Sequence, residues 1–142
     1  MKSRLHTIVR LSSVLLVLVL SLSNVYVAGA TLGWVGSMFP AGGSSNTITS
    51  GGSFTVYVQV YKAGVTEAPG QGANITCSLH WGTVPYFGGT WSNTTDTPMT
   101  FNTQVGNNDE YKGTVTPGVG LYEFTAFCTD TTDSTTMYAW TT

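Results

Sequence analysis

Apolar and polar side chains alternate through much of this chain from residue 54 onward. In Phe54-Thr55-Val56-Tyr57-Val58-Gln59-Val60-Tyr61, one face carries Phe54, Val56, Val58 and Val60, and the other Thr55, Tyr57, Gln59 and Tyr61. Successive side chains of a strand point to opposite sides, so this period of two predicts a strand with one buried face. Residues 75–81 repeat it, with Ile75, Cys77, Leu79 and Trp81 inward and Thr76, Ser78 and His80 outward. A later strand turns Tyr122, Phe124, Ala126 and Cys128 inward. Shorter strands are predicted at 47–49, 99–101, 110–115 and 135–141. Gly42-Gly43, Gly51-Gly52, Pro69-Gly70, Gly88-Gly89, Asn107-Asn108 and Pro117-Gly118 supply the turns. No segment after residue 30 repeats apolar residues at helical spacing. Short strands punctuated in this way predict an all-β sandwich. Trp34, Val35, Met38 and Phe39 predict a further N-terminal strand. The glycines and serines after Pro40 could leave this portion, 31–53, loosely attached.

The start of the chain has a different pattern. Lys2, Arg4 and Arg10 stand without an acid, seven apolar residues run from Val14 to Leu20, and Ala28-Gly29-Ala30 follows a polar break. A basic head, a short apolar body and an A-x-A end predict a secretory signal peptide over 1–30. The alternative is an uncleaved anchor, but the break after Leu20 shortens the apolar run below what spanning a bilayer prefers. Residues 31–142 are then one exported domain, secreted or displayed at the cell surface, without a membrane segment once the leader is removed. In that setting Cys77 and Cys128 read as a disulfide, with two buried thiols as the alternative. Both fall on core-facing positions, as a bridge through the sandwich interior requires.

Charge narrows the partners. Residues 31–142 hold two basic side chains, Lys62 and Lys112, against seven acids, a formal charge of −5. Nucleic-acid binding needs clustered Lys and Arg to displace counterions, so that class is disfavoured. Few charges among many Thr, Ser, Asn, Gly and aromatic residues suit a neutral, hydroxyl-rich partner.

Catalytic parts are scarce. His80 is the one histidine after residue 30, and no serine sits in a G-x-S-x-G turn. Glycoside hydrolysis needs two carboxylates facing across a cleft, whereas adjacent Asp109 and Glu110 would point to opposite faces of a strand. Asp130 and Asp133, with Asp109, could offer oxygens to calcium. They match no known ligand pattern, however, and solvated loop acids are the commoner case. The expectation is a protein with neither catalysis nor a cofactor or metal.

Aromatic residues are the strongest remaining signal. Trp81, Tyr86, Phe87 and Trp91 crowd into one stretch, and Tyr138 and Trp140 lie near the C-terminus. The C–H face of a sugar ring complements the negative face of an aromatic ring, while sugar hydroxyls seek polar groups around it. Trp81 reads instead as a core residue packed on the disulfide, as in immunoglobulin domains. Trp91 is open to either reading, and outward-facing His80 is either a hydrogen-bonding rim residue or an idle surface one.

Two resemblances arise here. Gly118-Val119-Gly120-Leu121-Tyr122-Glu123-Phe124 resembles a late strand of many bacterial immunoglobulin-like and fibronectin-like modules, implying an immunoglobulin-like sandwich. Ile75, Leu79-His80-Trp81-Gly82, Gly88-Gly89-Thr90-Trp91, Met99, Glu110-Tyr111-Lys112-Gly113 and Tyr122-Glu123-Phe124 resemble starch-binding carbohydrate-binding modules of families 25 and 26. That resemblance implies binding of an α-glucan, with a histidine and tryptophans as contacts. His80 and Trp91 match two of them. The family's third aromatic lies in a Trp-Asp-Asn loop after the E-F strand, where this chain has Asp130, Asp133, Tyr138 and Trp140 without that motif. The resulting expectation is a secreted module for a neutral polysaccharide, with His80, Trp91, Trp140 and Tyr138 as contacts. Its rival is a structural subunit of a surface layer or filament that self-associates by strand addition, using residues 31–39.

Overall fold

The computed structural model describes residues 29–139. Residues 1–28, with nearly all of the expected leader, and Trp140 lie outside them. The described residues form eight strands and no helix: β1 Trp34–Phe39, β2 Phe54–Tyr61, β3 Ile75–Thr83, β4 Ser92–Pro98, β5 Thr100–Val105, β6 Asn108–Val115, β7 Tyr122–Asp130 and β8 Thr136–Tyr138. All pairs are antiparallel, in two sheets ordered β1-β2-β6-β5 and β4-β3-β7-β8. In immunoglobulin notation the sheets are A-B-E-D and C′-C-F-G. The protein is an all-β, immunoglobulin-like sandwich.

The predicted inward faces make its core. Val56, Val58 and Val60 of β2 face Ile75, Cys77 and Leu79 of β3 with Ala126 and Cys128 of β7, all within one buried cluster. Tyr111 and Val115 join from β6, and Leu32 and Val35 from the N-terminal portion, which is thereby anchored in the core.

Two expectations need correction. The disulfide forms, but it does not cross between the sheets. Cys77 and Cys128 are directly opposed on neighbouring strands β3 and β7, with Cα atoms 4.0 Å apart. Parity fixed the face each sulfur shares, but which strand lies next to which was not encoded there. Residues 47–49 form no strand. Ile48 is the one apolar side chain among them, so alternation offers nothing to bury, and the segment runs from a turn at Ala41–Ser44 to one at Thr49–Gly52. Conversely, β4 is a strand without a single strongly apolar side chain, held by backbone pairing to β3.

The two ends of the sandwich differ. At the end where β2 finishes and β3 begins, Lys62 and Asp130 form a buried ion pair. The second Asp130 oxygen accepts from the Thr132 amide at 3.0 Å and its hydroxyl at 2.7 Å. Burial works against ionised Asp130, but the Lys62 and Thr132 hydrogen bonds and the Lys62 charge prevail and hold its carboxyl below the usual range. Beside this pair, Thr66 accepts from the Lys62 amide and donates to the Asn107 carbonyl at 2.8 Å. Asp109 is buried with one oxygen taking the Gly72 amide at 2.6 Å and the other without a hydrogen-bond partner among the described residues. Desolvation outweighs that bond and pushes Asp109 up. Desolvation also pushes the Tyr111 phenol up to about 12, against a hydrogen bond from Gln71 and with help from Asp109. The opposite end, between Phe54, Trp81 and Phe124, stays open as a cavity of about 450 Å³.

Candidate functional site

Exposed aromatic side chains stand on β1 (Trp34 and Phe39), in the β3–β4 loop (Tyr86 and Phe87) and on the outer face of the β4-β3-β7-β8 sheet, and the last of these carries the predicted contacts His80, Trp91 and Tyr138. β3 and β4 form a hairpin closed by Thr83 opposite Ser92, with Trp91 at the end of its loop. Glycine is needed at position 82. A Cβ there would lie 2.9 Å from the Ser92 carbonyl oxygen, where the pairing shifts between Trp81 and Thr83. The returning loop stacks Trp91 on His80, with ring centroids 5.3 Å apart and planes within 10°.

Acids fix the polar edge of each ring. His80 Nδ1 lies 2.6 Å from Asp96 Oδ1, directly across the β3–β4 ladder. An ionised carboxylate only accepts, so Nδ1 donates, and in the neutral ring Nε2 keeps its lone pair for a hydroxyl donor. The Trp91 Nε1–H donates to Glu123 Oε2 at 2.7 Å, and the other Glu123 oxygen takes the Gly88 amide. Glu123 thus ties the loop to β7 and orients the indole. Both rings remain partly exposed.

A second aromatic pair occupies the same face. Phe127 and Tyr138 have ring centroids 5.1 Å apart, on paired positions of β7 and β8. Phe127 lies opposite Ser78, two residues along β3 from His80. At strand spacing, Tyr138 is displaced from His80 by about 7 Å along the strands and about 10 Å across them. Ser78 and the Thr129–Thr136 hydroxyl pair, 2.8 Å apart, add polar groups around the aromatics.

The structure therefore brings His80, Trp91 and Tyr138 to one face, with the first two in contact. Trp140 lies outside the described residues. Trp81 points inward as expected, donating from Nε1 to Thr97 Oγ1 at 3.0 Å, but it packs against Tyr122 and lines the open end. Asp96, Glu123 and Phe127 are additions. The outward parity of β7 already implied Glu123 and Phe127, whereas nothing in the featureless run 92–98 announced Asp96.

The acids considered for calcium are dispersed. Asp130 is engaged by Lys62, Asp133 caps the Thr135 amide at 2.8 Å, and Asp109 faces Gly72. Asp109 turns inward and Glu110 outward, where Glu110 takes the Asn102 amide at 2.7 Å. Comparison of the chain with protein-family models, curated proteins and solved structures yields no match.

Proposed function

We propose that this chain is an exported, non-catalytic module whose outer β4-β3-β7-β8 face binds a neutral polysaccharide of the starch-like α-glucan class. The observation behind this reading is the parallel His80–Trp91 stack, with Asp96 and Glu123 holding the two polar edges. Rings held in advance lose little freedom when a sugar docks, and that favours binding. The aromatic surface supplies stacking, while His80 Nε2, Asp96 and the neighbouring hydroxyls offer directional contacts. The resemblance of residues 75–127 to starch-binding modules supports the choice of glucan. The Cys77–Cys128 bond supports an oxidising compartment. Lys62 is buried against Asp130, so Lys112 is the exposed lysine among the described residues, which favours an uncharged ligand.

Affinity electrophoresis through amylopectin tests the proposal. The wild-type protein should be retarded, and Trp91→Ala should migrate freely with an unchanged far-ultraviolet circular dichroism spectrum. Glu123→Gln should be retarded less than wild type. Wild-type migration that ignores the polysaccharide overturns the reading.

One observation favours the structural alternative. β1 pairs with β2 from Tyr57 to Tyr61 and leaves Phe54, Thr55 and Val56 without a strand partner on that side among the described residues. Such an edge is a template for strand addition. Sedimentation velocity over a wide concentration range should then reveal oligomers, and a monomer throughout would remove this alternative.

A further inference from the structure

We infer that the open end of the sandwich is a binding site for a small, uncharged, mainly apolar molecule with a neutral hydroxyl-type head. The site is the space between the sheets where β2 starts and β6 ends. Phe54, Leu79, Trp81, Val115 and Phe124 form its walls, and its volume is about 450 Å³. That is roughly three times an apolar cavity known to take up benzene, and it lies within the range of about 300–1,000 Å³ typical of ligand pockets. Protein interiors rarely leave such space, because each unfilled surface forfeits dispersion contacts. Here the segment along its edge cannot fill it. Residues 44–50 line the cavity with serines, threonines and an asparagine around the single apolar Ile48.

The mouth is apolar too. Phe87 is 62 % exposed, Val119 89 % and Leu121 36 %, and all three border the cavity. On a domain otherwise rich in hydroxyls, an exposed apolar cluster beside a hollow marks a recognition surface.

The lining also selects against charge. Among the described residues it contains no lysine, arginine or histidine, and its one ionisable acid is Glu123, whose oxygens already hold Trp91 and Gly88. An anionic head would meet no cation and one like charge. A hydroxyl head can instead exchange hydrogen bonds with the serines and threonines of residues 44–50. The ligand class is therefore a neutral amphiphile, such as a medium-chain alcohol, and a fatty carboxylate is disfavoured.

The test titrates the purified protein with N-phenyl-1-naphthylamine, an uncharged apolar fluorophore, and then displaces it with 1-decanol or with decanoate. Saturable fluorescence at one equivalent is expected, with decanol competing about ten-fold better than decanoate. Val115→Phe should place its ring in the cavity, weaken dye binding about ten-fold, and leave the melting temperature unchanged or raised. If Val115→Phe does not fold, Leu121→Glu decides the matter, since it charges the rim at an exposed position and should weaken dye binding by a similar factor. Absence of saturable binding overturns the site, as does wild-type affinity in the folded variants. Equal competition by decanoate overturns the assignment of a neutral head. Retention of Val115→Phe by amylopectin separates this site from the outer face.

Discussion

The two ends of this sandwich are built on opposite principles. At one, Lys62, Asp130, Thr66 and Asp109 fill the interior with polar groups, and the Cys77–Cys128 bond lies one inward position along β3 from Ile75. At the other, aromatic side chains surround a hollow that polar residues line without filling. The first arrangement restricts the chain, because a buried charge without its partner is costly and a covalent link limits the unfolded ensemble. The second leaves free space and gives up packing. Rigidity and room for a guest are thus assigned to different halves of one small core.

Four measurements test this contrast. Replacing Cys77 and Cys128 together by alanine should have the largest effect. The chain-entropy model gives a loss of about 4 kcal/mol for a separation of 51 residues, read from urea denaturation. Asp130→Asn should follow, costing about 3 kcal/mol at pH 7 by leaving Lys62 buried and uncompensated. Because Asp130 is lowered in the folded state, its stabilisation is present above the unfolded value of 3.8 and lost as pH falls through the folded value. The penalty in Asp130→Asn should therefore shrink in acid.

At the open end, Phe124→Ala should cost about 2 kcal/mol, less than the usual 3–5 for a truncated phenylalanine, because its surroundings are already incompletely packed. A larger loss would show that the hollow is tightly braced. The smallest effect belongs to Asp109. Its pKa is raised on folding, so its contribution is present below 3.8 and lost as pH rises through the folded value. Asp109→Asn should therefore gain stability relative to wild type as pH rises from 3 to 7, read as a difference of urea-derived stabilities.

Much of this contrast was legible in the sequence, though unevenly. Alternation located β2, β3 and β7 and assigned their faces correctly, because burying one side of a strand leaves a period that composition cannot hide. The same parity also contained the buried ion pair. Lys62 continues the inward series 54–60, and Asp130 continues the series 122–128. Two opposite charges extending inward faces at the same end should find each other, but a charged residue just beyond a strand is easily read as its solvated terminus. Partner strands are another matter. Parity says which way a cysteine points and not which strand lies beside it, so the bond within one sheet could not be told from one between sheets.

The candidate face divides in the same way. His80 was identifiable from its outward position, and Trp91 from its glycine-flanked loop. Their stacking depends on how that loop returns, which Gly82 and Glu123 determine through contacts far apart in sequence. Asp96 was hidden because β4 is polar on both sides and so has no pattern to detect.

That same hydrophilic strand has a consequence for crowded solutions. A sheet margin is ordinarily where copies of a β-protein zip together. Along Ser92–Pro98, by contrast, a would-be neighbour meets wetted hydroxyls, the carboxylate of Asp96 and the imino nitrogen of Pro98, which has no hydrogen to donate. This border does not favour growth into ribbons and leaves the adjoining ring stack open to solvent.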